Sequence, residues 1–147
     1  MQFIETVILD KPIDAVWAAF DNTENLYKWQ PSLTDFRHVS GEPGQPGAVS
    51  ELTYQEGKRT MVLTETITER DHPGLFRGTY TIDGTVNHVS NRFEPLGDGR
   101  TRWDIECTFH FGGLFRFIAP LMKGAFVKRT RADIQRFADK LHSGEIA

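Results

Sequence analysis

The chain has 147 residues, with 17 lysines and arginines against 20 aspartates and glutamates, for a formal net charge of −3. That length is one domain, residues 1–147, with a core of its own, and the acidic balance argues against a nucleic-acid binder, whose footprint is basic. The lone cysteine, Cys107, excludes an internal disulfide, and no stretch resembles a signal peptide or a transmembrane segment, so the expectation is a soluble, cytoplasmic protein.

In chain order, Phe3 to Leu9 reads as a strand, broken by Asp10-Lys11-Pro12. Pro12 to Phe20 follows as a short amphipathic helix with Ile13, Val16, Trp17 and Phe20 on one face. Asn22 or Thr23 caps a second short helix through Tyr27, which Pro31 stops. Leu33 to Val39 is a strand candidate. Gly41 to Gly47 is an irregular loop, because three glycines and two prolines support neither ladder nor helix.

The next strands are placed in register by their turns. Gly57-Lys58 suits a two-residue type II′ turn and pairs Tyr54 with Met61, Leu52 with Leu63 and Ser50 with Glu65. The longer turn Asp71-His72-Pro73-Gly74 then sets Ile67 by Gly78 and Glu65 by Tyr80. Asp83-Gly84 is a type I′ signal, which puts Ile82 by Thr85, Tyr80 by Asn87 and Gly78 by Val89. The last hairpin, turning at Leu96 to Arg100, faces Phe93 with Trp103, Asn91 with Ile105, Val89 with Cys107 and Asn87 with Phe109. Its other face pairs Arg92 with Asp104 and Glu94 with Arg102, opposite charges suited to an exposed surface.

From Pro120 the chain reads as one long helix. Phe126, Val127, Thr130, Ile134, Phe137, Ala138 and Leu141 fall on one side at 3.6-residue spacing. Pro120 suits a first turn, and Ser143-Gly144 ends the helix. Its apolar stripe needs a wide partner, which the sheet supplies. Lys123, Lys128, Arg129 and Arg131 cluster on it and read as a solvated face, with contact to an acidic membrane or RNA as the lesser alternative.

One row of the inner sheet face is polar. Ser50, Glu65, Tyr80 and Asn87 lie side by side across four strands. A carboxylate there is costly unless hydrogen-bonded, wet or protonated. Two readings stay open. The row is a self-satisfied network, or a slipped register exposes Glu65, and then it has no function. Alternatively it lies in a cavity and orients a ligand.

The order of elements, with Pro12-Ile13-Asp14-Ala15-Val16-Trp17 after the first strand, Trp29-Gln30-Pro31 after the second helix and the Pro43-Gly44 to Gly47 loop, resembles the SRPBCC superfamily. These are the START and birch-pollen-allergen-like helix-grip proteins, and the polyketide cyclase/dehydrase-like and coenzyme-Q-binding-like members are nearest in pattern. The resemblance covers essentially the whole chain. It implies an α+β helix-grip fold, a curved seven-stranded antiparallel sheet around a long C-terminal helix with an apolar cavity between them. It also implies that the two short helices and the Pro/Gly loop lie near the cavity rim. Members bind lipids, sterols, polyketides, hormones or quinones, and some are enzymes; no catalytic motif is common to all.

The other chemistry is sparse. The five histidines show no metal-ligand spacing, and His88 and His110 fall on the outer face of the register. Cys107 reads as a small buried hydrophobe, Gly112-Gly113 as a bend, and Trp17 and Trp29 as rim or core packing. No cofactor is expected. The favoured function is a binding or carrier domain for a small apolar or aromatic ligand, in a monomer or dimer. Its expected ligand contacts from the strands are Tyr54, Leu63, Glu65, Tyr80, Asn87, Val89, Asn91 and Phe109. Those from the helix are Phe126, Thr130 and Ile134. The alternative is a cyclase/dehydratase with Glu65 as base and Tyr80 as acid or oxyanion donor. A third reading is an interaction module that docks through the basic helix face.

Overall fold

The computed structural model describes all 147 residues. Seven strands form one antiparallel sheet: β1 (Gln2–Leu9), β2 (Leu33–Ser40), β3 (Val49–Glu56), β4 (Arg59–Asp71), β5 (Leu75–Ile82), β6 (Thr85–Pro95) and β7 (Thr101–His110). Their spatial order is β1-β7-β6-β5-β4-β3-β2. The first two strands of the chain are therefore the two sheet edges. The helices between them, α1 (Ile13–Phe20) and α2 (Thr23–Trp29), carry the chain from one edge to the other. Edge strand β2 shifts register twice along β3, an irregularity that blunts an exposed edge.

The turns set the sheet's register as their residues predict. Gly57 has φ +60°, while Asp83 and Gly84 have φ +47° and +77°, the positive values that a type I′ turn requires. Leu52 faces Leu63, Glu65 faces Tyr80, Tyr80 faces Asn87, and Phe93 faces Trp103. Arg92 pairs with Asp104 and Glu94 with Arg102.

Parity along β4 fails at one place. The register with β5 shifts between Ile67 and Glu69, leaving Thr68 as an extra residue. A bulge of this kind moves every later side chain to the other face. Glu69 turns outward to an ion pair with Arg77 at 2.8 Å, and Arg70 turns inward toward α1 and α2.

Helix boundaries differ from the sequence reading by a few residues. Pro12 is the N-cap of α1, and Asn22 caps α2 by accepting from the Glu24 N–H at 3.0 Å. The second helix runs on to Trp29 rather than ending at Tyr27. The long C-terminal helix does not begin at Pro120. A short α3 (Phe115–Ile118) and a 3₁₀ turn (Ala119–Met122) precede α4, which spans Lys123–Ser143. Pro120 lies inside the tight turn, where its missing N–H leaves no ladder bond unmade.

The main core lies under the C-terminal half of α4. Phe137, Ile134, Ala138 and Leu141 pack with Leu9, Val16, Trp17, Trp29, Phe93 and Trp103. Trp103 meets Phe137 edge-on at 5.1 Å and Trp29 at 5.9 Å. The two short-helix tryptophans are thus core residues. After Gly144, in a left-handed conformation at φ +82°, Ile146 folds back into this core. That apolar contact just past a helix C-cap went unread in the sequence. No helix is long and apolar enough to cross a membrane.

Candidate functional site

The N-terminal half of α4 is not packed in this way. Between it and the sheet lies a cavity of about 1100 Å³. Leu52, Leu63, Val89, Ile105 and Phe109 line it from the strands, and Phe126, Thr130 and Ile134 from α4. Phe126 closes that wall by stacking on Phe109, with ring centroids 4.9 Å apart. Thr130 makes no hydrogen bond to the carbonyl one turn earlier; its side chain is half-buried and lines the cavity instead.

The polar row is on the inner face. Ser50, Glu65, Tyr80 and Asn87 all line the cavity, and Ser50 and Glu65 are buried. The Tyr80 hydroxyl donates to Glu65 Oε2 at 2.7 Å. Burial pushes the Glu65 carboxyl above its ordinary value of 4.5, and the bond from Tyr80 only partly offsets it. Burial, then the neighbouring Glu65, pushes the Tyr80 phenol well above its usual range. Asn87 Oδ1 is buried without a hydrogen-bond partner. Beside it the buried Cys107 thiol is pushed up to about 12 by desolvation, against a smaller pull from Asn87, which disfavours the thiolate.

Two expected contacts are committed elsewhere. Asn91 borders the cavity, but its Oδ1 accepts from Trp103 Nε1 at 3.1 Å and its Nδ2 donates to the Phe76 carbonyl at 3.3 Å. The Tyr54 hydroxyl donates to Gln30 Oε1 at 2.7 Å, and Arg129 sits 5.6 Å from the Tyr54 ring centroid. Burial holds the Tyr54 phenol above its ordinary range, and Arg129 counters only in part. The clustered cations of α4 lie on an exposed face, and two of them are ion-paired there. Arg129 pairs with Glu56, and Arg131 forms a fork on Glu5 at 2.9 and 3.0 Å.

The cavity reaches the surface at opposite ends of β4. At one end its lining includes the partly exposed Phe115 and Met122, with Arg59 and Asp83 from the β3–β4 and β5–β6 turns. At the other, Asp21, Thr23, Pro43 and Gly44 border it. There the inward-turned Arg70 binds both oxygens of Asp21 at 2.6 and 2.8 Å and the Gly44 carbonyl at 3.3 Å. It also lies 5.2 Å from the Trp17 ring centroid. One guanidinium thus ties the α1–α2 junction, the Pro/Gly loop and β4 together. Sequence reasoning missed Arg70 and Asp21, because the bulge that aims Arg70 inward leaves no mark in the alternation; the adjacent charges Glu69-Arg70 were the only hint.

The polyketide cyclase / dehydrase and lipid transport family matches residues 2–142. Among solved structures, a protein from Thermus thermophilus superposes with a TM-score of 0.79 at 12% identity, over 98% of this chain and 99% of that one. The Zhui aromatase/cyclase from Streptomyces sp. R1128 gives 0.78 at 15%, over 97% and 93%. Ara h 8.0201 gives 0.74 at 19%, over 97% and 98%. At these identities the likeness is one of fold. No functionally curated protein matches the sequence.

Proposed function

Because the chain belongs to the polyketide cyclase / dehydrase and lipid transport family, we propose that it binds and carries a small hydrophobic ligand, a lipid, quinone or polyketide-like molecule, between sheet and helix. The cavity carries this reading. Its volume of about 1100 Å³ lies just above the range for drug-sized ligands, roughly 300–1000 Å³. A fatty acyl chain or a fused aromatic system fits that space. The surrounding aliphatic and aromatic groups supply the affinity by burial. The polar row supplies the orientation. Asn87 Oδ1 lacks a donor, so a ligand with an apolar body and one hydroxyl or phenol satisfies it.

A second reading, a cyclase/dehydratase acting on a β-keto or aromatic substrate, has one observation in its favour. Glu65 is a buried carboxyl with a raised pKa beside a phenol, the tuning that general acid–base chemistry needs. Against it, the Tyr80 hydroxyl already donates its hydrogen bond to Glu65. Tyr80 cannot stabilise an oxyanion without breaking that bond.

The test is a thermal-shift screen over fatty acids, quinones and aromatic polyketides, joined to native mass spectrometry of the purified protein. A ligand that binds only the folded state raises the melting temperature by mass action, equivalent to about 2.7 kcal/mol at a hundredfold excess over Kd. No responder and no co-purifying mass defeats the carrier reading. With a responder in hand, Glu65→Gln separates the two. A carrier changes affinity and neither form turns anything over, whereas an enzyme loses turnover with affinity nearly intact.

A further inference from the structure

The link between β7 and α4 carries an apolar surface that the cavity does not explain. Leu121 is 87% exposed, Leu114 81% and Phe117 66%, and Ile118 is exposed beside them. Solvent-exposed leucines and phenylalanines gathered in one short segment mark an interaction site more often than chance exposure does. The segment is not loose chain. It is built of α3 and the 3₁₀ turn, and Ala119 between them is fully buried as an anchor.

Its charge is one-sided. From Cys107 to Ala132 the sequence holds no acidic residue and five cations, Arg116, Lys123, Lys128, Arg129 and Arg131, in a chain whose net charge is −3. Arg129 and Arg131 are neutralised by Glu56 and Glu5, but Arg116, Lys123 and Lys128 form no ion pair. Arg116 lies over the Phe117 ring, 4.8 Å from its centroid. The opposing charge on the neighbouring β5–β6 turn is Asp83, next to the Gly84 that meets Gly112.

We infer that this segment docks on an anionic lipid bilayer, its leucines and phenylalanines at the acyl boundary and its cations among the headgroups. Large apolar side chains rimmed by Arg and Lys are the composition that binds such an interface. A second copy of the chain is the poorer occupant. A two-fold interface sets the same patch against itself, which brings Arg116, Lys123 and Lys128 of both copies together. The position adds a consequence. Phe115 and Met122 belong to the segment and also line the cavity, so docking sets that opening against the membrane. The docking itself does not depend on what the cavity holds.

Flotation of the purified protein with vesicles of phosphatidylcholine alone, and of phosphatidylcholine mixed with phosphatidylglycerol, tests this. The protein is expected on the anionic vesicles and to be released by salt. Leu114→Ser with Leu121→Ser should weaken binding by at least about tenfold. Arg116→Gln with Lys123→Gln should weaken it on the order of twentyfold. These side chains face solvent, so the melting temperature and the thermal-shift response to a soluble ligand should stay as in the wild type. That response also lets the membrane surface and the cavity fail separately. Absence of flotation on anionic vesicles overturns the inference. So does flotation untouched by both double variants, or a concentration-dependent dimer in the ultracentrifuge that Leu121→Ser breaks in a protein that binds no vesicle.

Discussion

Glu65 is the residue on which the chemistry of the cavity turns. It sits at the centre of its strand pairings, Ser50 on one side and Tyr80 on the other. Its carboxyl is buried, with Tyr80 as its hydrogen-bond partner. Desolvation disfavours the charged form, so the folded-state pKa lies above the unfolded one. Between those two values the folded protein holds the proton more tightly. The stability it contributes is fully present below about 4.5 and is lost as pH rises through the folded value. Glu65→Gln keeps an oxygen for Tyr80 but has no proton to lose. Its stability relative to wild type should therefore be flat in acid, climb as pH rises, and level off. The plateau measures how far burial has raised the acid, at about 1.4 kcal/mol for each tenfold change in proton affinity. Urea melts of both proteins from pH 4 to 8 read this. Asp133, whose carboxyl burial also raises, cancels in the difference. A Glu65→Gln variant that loses ground as pH rises would mean an ionised carboxylate stabilised by its surroundings, and an ordinary salt-like role.

At the scale of the element, α4 is one helix with two jobs. Its C-terminal half buries Phe137 against Trp29 and Trp103, while its N-terminal half spans open space. Phe137→Ala should cost about 3–5 kcal/mol, the usual loss for a large aromatic in a packed core. Thr130→Leu should be neutral or stabilising by roughly 1 kcal/mol, because it adds apolar surface without a clash, and should weaken ligand binding. If denaturant melts instead show a loss of about 1–3 kcal/mol, the helix is packed there and no usable cavity exists. The helix's two halves were not distinguishable in the sequence, where Phe126, Thr130 and Ile134 continue the same stripe as Phe137 and Leu141. Periodicity reports which face turns inward, not whether anything fills the space it faces. The sheet was far more legible. Gly57, and Asp83 with Gly84, dictate tight turns, and a two-residue periodicity propagates from each turn without error until an extra residue intervenes. Thr68 is that residue, and no local signal marks it, so Arg70 and its contacts to Asp21 and Gly44 stayed hidden. The Ser50–Glu65–Tyr80–Asn87 row lies before the bulge or on strands without one, and it was found.

At the scale of the whole molecule, the sheet holds the helix unevenly. The aromatic core fixes the C-terminal half of α4, and Ile146 and the Asp10 N–H bond to His142 Nε2 at 2.9 Å secure its end. The N-terminal half is held by the Phe109–Phe126 stack and by ion pairs of Arg129 and Arg131 at the surface. Exposed ion pairs contribute little, about 0–1 kcal/mol each, so this half and the α3 segment before it should open locally at a free energy well below that of global unfolding. Phe115 and Met122 border one of the cavity's two openings, so the least stable part of the fold flanks a route into it. Hydrogen exchange followed by mass spectrometry makes the point measurable. Amides of residues 115–130 should exchange faster than those of 134–141, and a ligand from the thermal-shift screen should slow the first set while leaving the second unchanged. In a rigid molecule both halves of α4 would exchange together, only on global unfolding. That result would require the ligand to come in by the other opening, where Arg70 ties Asp21 to the Gly44 carbonyl.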